Sequence, residues 1–365
     1  MTGQKHPVTP HRVGVVGYYL PRQIVFAAGA TPVQLHGSWT GTYSSQASRL
    51  LGAVDAVTKR ILTQLLEHKV GDLAGLVICN DSAANLRLFY VARMLSQRGE
   101  LPYPVLLLDC PSGAAPARHR FIRQQYERLG AFLADLTGTS LSLRALNEAG
   151  EQELLLGEAL ESLRIQRRAG RYTGDQALNA YLAVSQSTHE QALQLLKDMN
   201  PNRDVTGLPV FMTGSSHPDA TVYQQLENSG VMVVGEDHAS GDGAWLGEAA
   251  LGNTESSIYE ELVTLHFGRA PLAARALSHE RAQYLKTNLV STRPEYVVGL
   301  VRDLDDAPVW DIPACQTACE ELELPYRVVS RITSEGLQAG IDTIRAGIQE
   351  GEHEPRTAQR SFTGA

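Results

Sequence analysis

The hydrophobic and polar positions near the N-terminus predict a strand, a loop and a helix in close succession. An apolar run at residues 13–16 is typical of a short buried strand, and the segment from Gly17 to Pro21 has the composition of a turn. Residues 22–28 follow as a helix, because Pro21 suits a helix start and Gly29 can end the helix in the left-handed conformation. The loop therefore lies between a strand end and a helix start, where open α/β sheets bind ligands.

The same alternation continues to about residue 116. Apolar runs at residues 73–79 and 104–108 predict buried strands, and helical spacing of apolar residues predicts helices at residues 50–67 and 86–95. The Gly-, Ser- and Thr-rich residues 36–48 predict a long loop. Strands that alternate with helices are typical of a parallel, doubly wound sheet.

The strand pattern stops between residues 117 and 199, where amphipathic helices follow one another, and it returns near residue 208. The later strands are predicted at residues 210–213, 231–234, 296–301 and 326–329, with a helix at residues 314–322. The predicted fold class is α/β, with two Rossmann-like parallel-sheet domains that face a cleft. The predicted division is an N-terminal α/β domain (1–116), a helical connector (117–204) and a C-terminal α/β domain (205–365).

Composition and charge narrow the class of partner. Hydrophobic residues make up 43% and charged residues 20% of the 365 residues, as in ordinary globular proteins. The net charge of -8 argues against nucleic acid and anionic membranes as partners. No apolar run approaches the roughly 20 residues that span a bilayer, and the polar residues 1–11 do not resemble a signal peptide. We therefore expect a cytoplasmic protein.

The chain has four cysteines, a sparse use that fits a reducing compartment. Cys315 and Cys319 would share one helix face and are interpreted as buried thiols, since two thiols do not complete a zinc site. Glycine-rich dinucleotide and phosphate-loop motifs are absent, because Gly14-x-x-Gly17 lacks the further glycines. This disfavours a classical NAD or ATP site.

Several segments together resemble the catalytic subunits of 2-hydroxyacyl-CoA dehydratases and benzoyl-CoA reductases. The most specific is GYYLPRQIVFAAGATPV at residues 17–33, which is similar to the opening segment of that family almost position by position. Weaker matches follow in the same order along the chain: LDCP at 108–111, MTGSS at 212–216, VVGED at 233–237 and EYVVGLV at 295–301. The resemblance covers roughly residues 12 to 350.

This resemblance implies a two-lobed α/β subunit that pairs with a homologous subunit, as a heterodimer or higher oligomer, and binds an acyl-CoA thioester. It also implies a [4Fe-4S] cluster on three cysteines, reduced by a separate ATP-dependent activator. Thiolate ligands and a closed apolar cleft suit such chemistry.

The chain departs from the family at the cluster. The three cysteine positions of the family fall at or near Asp55, Ser82 and Asp305, although a shifted alignment could bring Cys79 to one of them. We therefore expect no cofactor and no metal on this chain, with a cluster possible on a partner subunit. Gln23 stands where the family commonly has Glu, which puts a carboxylate role there in doubt.

The resulting hypothesis is a cluster-free subunit of an acyl-CoA lyase or reductase complex. We expect Gln23, Ser82 and His238 to be catalytic, and we expect the following residues to bind the substrate: Tyr18, Tyr19, Asp81, Ser215 and Ser216. One alternative is a non-catalytic partner that stabilises a catalytic homologue. A second is a divalent metal on Asp55, Asp305 and His238. The structural alternatives are that strand-end residues such as Asn80, Asp81 and Asp305 cap the next helix, and that His238 is a polar loop residue.

Overall fold

The computed structural model describes residues 11–113, 115–201, 205–272 and 275–353. The prediction that residues 1–11 are not a signal peptide concerns residues almost entirely outside these ranges. The predicted domain boundary at residue 204 also falls outside them. Among the described helices, none is long and apolar enough to cross a membrane.

Two four-stranded parallel sheets form the framework, as predicted. The N-terminal sheet has the order β2-β1-β3-β4, with strands β1 (His11–Val16), β2 (Ala30–Gln34), β3 (Gly75–Cys79) and β4 (Val105–Leu108). The C-terminal sheet has the order β6-β5-β7-β8, with strands β5 (Leu208–Gly214), β6 (Val231–Glu236), β7 (Tyr296–Arg302) and β8 (Tyr326–Ile332). The central strands are apolar on both faces because helices cover both sides of each sheet.

Helices cover both faces of the N-terminal sheet. They are α1 (Arg22–Ala27), α2 (Ser45–Leu51), α3 (Ala56–Leu66), α4 (Ala83–Gln97) and α5 (Pro116–Thr137). Helices α2, α3 and α4 pack on one face, and α1 and α5 pack on the other. Gly29 ends the first helical segment with φ of 73°, as its position predicts.

The connector consists of α6 (Leu143–Arg168), α7 (Gly174–Val184) and α8 (His189–Asp198), which share a small core of their own. Around the C-terminal sheet lie α9 (Thr221–Glu227), α11 (Ser278–Thr292), α12 (Asp306–Glu320) and α13 (Leu337–His353), and α10 (Glu255–Gly268) precedes α11 along the chain. Helix α10 packs against α5 and joins the core of the N-terminal sheet. Cys315 and Cys319 are buried between α12 and the C-terminal sheet, as predicted.

The structure corrects two predicted helices. The segment at residues 50–67 is divided, because Gly52 has φ of 64° and ends α2, and a new helix starts after Asp55. The loop predicted at residues 36–48 is also shorter than predicted, because α2 already begins at Ser45. Helix α12 begins before the predicted residue 314 and continues through Pro313. Pro313 has no N–H group to donate to the Val309 carbonyl four residues earlier. Val309 is 40% exposed, so water can hydrogen-bond to that carbonyl instead.

Candidate functional site

A cleft of about 670 Å³ lies between the carboxyl ends of the two sheets. Loops that follow β1 and β3 line one side, and loops that follow β5, β6 and β7 line the other. This is the position where parallel sheets place ligands. Most of the residues predicted as a site line it, namely Tyr18, Asp55, Asp81, Ser82, Ser215, Ser216, His238 and Asp305. Gln23 and Tyr19 are the exceptions.

The opening loop is fixed to the end of β3 through Asp81. The Tyr18 backbone N–H donates to Asp81 Oδ2 at 2.7 Å, and Asn85 Nδ2 donates to Oδ1 at 2.6 Å. Gly17 has φ of 90°, and a Cβ there would lie 2.6 Å from Asp81 Oδ2. Burial raises the pKa of Asp81. The capping alternative for Asp81 is wrong, because its side chain holds this loop and Ser82 caps α4 instead.

The two neighbouring tyrosines of the opening loop have different environments. Tyr18 lines the cleft within hydrogen-bonding reach of Ser216, and burial raises its pKa to about 12. Tyr19 turns into the core beneath Arg269, whose guanidinium carbon lies 4.4 Å from the ring centroid. The structure therefore does not bring Tyr19 together with the other residues predicted to bind substrate, because its side chain does not line the cleft.

Gln23 also lies away from the cleft. Its Nε2 donates to the carbonyls of Leu146 and Ala250 at 2.8 and 2.7 Å, and its Oε1 accepts from the Ala250 N–H at 2.9 Å. The buried amide thus holds α1, α6 and the loop before α10 together. The structure therefore does not bring Gln23 together with the other predicted catalytic residues, since all of these contacts are to backbone groups outside the cleft.

Two of the three positions that match the cluster cysteines are helix caps. Asp55 accepts from the N–H groups of Val57 and Thr58 at 3.1 and 3.2 Å and begins α3. Ser82 accepts from the Asn85 N–H at 3.1 Å and begins α4. Asp305 precedes α12 without capping it; the capping alternative is wrong for this residue.

Arg302, at the end of β7, joins the two aspartates. Its NH2 lies 3.0 Å from Asp305 Oδ2, its Nε lies 3.7 Å from Asp55 Oδ1, and its NH1 donates to the Ser216 carbonyl. Ser215 Oγ donates to Asp305 Oδ2 at 2.6 Å. Burial raises the pKa of Asp305, while Arg302 acts in the opposite direction. A guanidinium therefore connects two of the three positions at which the sequence predicts the cluster cysteines of the resembled family to fall.

The cleft does not fit a thiolate-held cluster. All four cysteines are described and buried, and none of them lines the cleft. Cys79, which a shifted alignment could have brought into the site, has an exposure of 0%, and burial raises the pKa of its thiol well above the usual value. An iron–sulfur cluster requires deprotonated cysteines.

His238 lines the cleft as a neutral imidazole. Burial, helped by Arg167 and Arg281, lowers its pKa to about 3. Its Nε2 lies 2.9 Å from the Tyr223 hydroxyl and its Nδ1 lies 3.2 Å from Ser240 Oγ. Within the part of the chain that the structure describes, no group of three or more His, Cys, Asp or Glu side chains could hold a metal ion. The metal set formed by His238 and the two aspartates is therefore not present.

Five charged residues line the cleft that the sequence pattern did not predict as part of a site, namely Asp237, Arg275, Arg281, Arg302 and Asp306. Asp237 and Arg302 occupy strand ends, so the rule that found Ser215 could have found them as well. Arg281 lies on α11, a helix that the analysis did not assign. It carried no local signal, because only the tertiary packing brings it to the cleft.

Comparison with known proteins supports the family resemblance. A search of curated proteins found no match. A family model described as 2-hydroxyglutaryl-CoA dehydratase, D-component, matches residues 17–338. That range includes strands β2 to β8, the connector and the loops that line the cleft. The chain belongs to the 2-hydroxyglutaryl-CoA dehydratase D-component family.

Proposed function

We propose that this chain is an acyl-CoA-binding subunit of a 2-hydroxyacyl-CoA dehydratase- or benzoyl-CoA reductase-like complex, and that it carries no [4Fe-4S] cluster. The observation that carries the proposal is the Asp55–Arg302–Asp305 network in a cleft without cysteines. In the proposed complex a homologous subunit, reduced by an ATP-dependent activator, supplies any redox step. The expected compartment is the cytoplasm.

The cleft supplies groups suited to a thioester. Tyr18 places a neutral hydroxyl at its wall, since burial raises its pKa to about 12. The first backbone N–H groups of α4, at Ala83 and Ala84, lie at the cleft and have no carbonyl one turn earlier to bond. Such donors stabilise a carbonyl oxygen that gains negative charge.

Two measurements test the proposal. Iron analysis and visible absorbance, after anaerobic purification alone and with the product of a neighbouring homologous gene, should show no cluster on this chain. A stoichiometric [4Fe-4S] signal on the isolated chain would refute the cluster-free assignment. Mass measurement of the co-purified pair should show a complex of the two subunits.

Calorimetry with acetyl-, butyryl-, glutaryl- and 2-hydroxyglutaryl-CoA tests the binding function. We expect binding to the complex, and Tyr18→Phe should raise the Kd about 5-fold, the value of one hydrogen bond. Tyr90→Phe is the matched control, because Tyr90 is exposed on α4 and does not line the cleft. Absence of binding both alone and in complex would favour the non-catalytic partner instead.

A further inference from the structure

Asp237 differs from the other carboxylates of the cleft because one of its oxygens is buried and has no hydrogen-bond partner. It follows β6 directly, its exposure is 0%, and it lines the cleft. Its Oδ2 accepts from Thr213 Oγ1 and pairs with Arg281 NH2, each at 3.1 Å. Its Oδ1 is buried and has no hydrogen-bond partner. A buried polar atom without a partner is costly, by about 1–3 kcal/mol, and calls for an explanation.

The other side of the carboxyl group is held in place. Arg281 NH1 donates to the carbonyls of Asp237 and Pro271 at 3.1 and 2.6 Å, so the guanidinium is anchored to backbone as well as to Oδ2. Because Oδ2 faces Thr213 and Arg281, Oδ1 is the oxygen left for a molecule in the cleft. A group held by one oxygen and free at the other is positioned to transfer a proton.

Three other aspartates of the cleft differ from Asp237 in their contacts or in their exposure. Both oxygens of Asp81 accept hydrogen bonds, from the Tyr18 N–H and from Asn85. Asp55 uses both oxygens to cap α3. Asp305 is held by Arg302 and Ser215 through Oδ2 alone, but its side chain is 23% exposed, so water can solvate its other oxygen. Among these four aspartates, Asp237 is therefore the one with a buried oxygen that has no hydrogen-bond partner.

We propose that Asp237 Oδ1 removes a proton from the carbon next to the thioester carbonyl of a bound acyl group, and returns it. This inference rests on the proposed acyl-CoA function. The C–H bond breaks, its proton forms an O–H bond with Oδ1, and the electron pair becomes an enolate with its charge on the thioester oxygen. Nothing is oxidised or reduced, and the reverse step restores the carboxylate.

The cleft can stabilise the enolate oxygen. The free N–H groups at the start of α4 lie at the cleft, and Arg275, which also lines it, has a buried Nε with no hydrogen-bond partner. Burial raises the pKa of Asp237 against the opposing effects of Arg281 and Thr213, which makes its carboxylate a stronger base than an exposed one.

Hydrogen–deuterium exchange tests the inference in the full chain with its partner subunit. The probe is glutaryl-CoA in deuterated water, and mass spectrometry measures deuterium in the acyl chain while the thioester stays intact. Wild type should catalyse the exchange. Asp237→Asn should slow it about 100-fold or more, with the calorimetric Kd changed less than about 3-fold. Asp135→Asn is the matched control; it removes the same charge from an exposed residue of α5 that does not line the cleft, and it should keep the wild-type rate.

The outcomes separate the inference from the function on which it rests. Wild type that binds glutaryl-CoA without exchange, or an Asn variant that exchanges at the wild-type rate, overturns the role of Asp237 and leaves acyl-CoA binding intact. Absence of binding overturns both. If the Asn variant does not fold, Asp237→Glu keeps the charge beside Arg281 but moves the reacting oxygen. It should lose about 10-fold in rate, and an unchanged rate would contradict the inference.

Discussion

The two sheets have the same backbone plan and different chemistry. Each places its second strand at one edge and its first and third strands in the centre. Each also has a glycine with positive φ at the end of its first strand, Gly17 at 90° and Gly214 at 106°. In both cases the neighbouring strand leaves no room for a Cβ, since a Cβ at Gly17 would lie 2.7 Å from the Cβ of Cys79 and a Cβ at Gly214 would lie 2.4 Å from the Leu300 carbonyl oxygen.

The charges at the strand ends differ. The strand ends of the N-terminal sheet bring Asn80 and Asp81 to the cleft but no cation, whereas the C-terminal sheet brings Arg302 at the end of β7. Asp55, from the N-terminal side, finds its cationic partner in Arg302, across the cleft. A shared fold therefore fixes where side chains meet, and the individual loops decide what chemistry they supply. The electrostatic balance of one half depends on the other.

Arg302→Met removes this contact across the cleft and should cause the largest loss of folding stability. It leaves Asp55 and Asp305 without their cation in a mostly buried site, and loss of one member of a buried pair costs about 3–5 kcal/mol. Urea unfolding at pH 7 measures the free energy of unfolding. Arg345→Met is the control, because Arg345 and Asp342 form an exposed pair with the same three-residue spacing, worth about 0–1 kcal/mol. Equal losses in the two variants would show that Arg302 is an ordinary surface charge.

Strand ends explain how much of the site the sequence could predict. Buried parallel strands produce apolar runs, so the sheets and residues such as Ser215, His238 and Asp305 could be located from pattern alone. The direction of a side chain within a short helix could not. Gln23 and Tyr18 lie five residues apart in one motif, yet only Tyr18 faces the cleft, because the partners of Gln23 are backbone groups distant in sequence.

The loss of folding stability on acidification can be compared between the two halves, because each has a histidine with a lowered pKa. Burial lowers the pKa of His36, on the N-terminal side, to about 4 and that of His238, on the C-terminal side, to about 3. As the pH falls below about 6.5, the unfolded chain binds protons that the folded chain does not, so stability is lost on acidification. Each histidine should contribute about 1.4 kcal/mol per pH unit between pH 6.5 and its folded pKa.

His36→Gln and His238→Gln should each make the loss of stability between pH 6.5 and 5 smaller than in wild type. The difference between variant and wild type is the informative quantity, because the raised pKa values of Asp81, Asp237 and Asp305 act in the opposite direction. Urea unfolding at several pH values provides it. A slope unchanged in one variant would show that the histidine of that half is protonated in the folded state.

Leu304 offers the smallest and most local test. It lines the cleft beside Asp305 with φ of 62° and is 45% exposed, whereas none of residues 80–82, which follow the equivalent strand β3, has a positive φ. The left-handed conformation costs a residue with a Cβ about 1–2 kcal/mol, and glycine loses about 0.5–1 kcal/mol more in backbone entropy on folding. Leu304→Gly should therefore be about 0.5 kcal/mol more stable than Leu304→Ala, which removes the same side chain but keeps the Cβ. If the alanine variant is equally stable, the backbone at Leu304 is not strained, and the two halves differ at the cleft in charge alone.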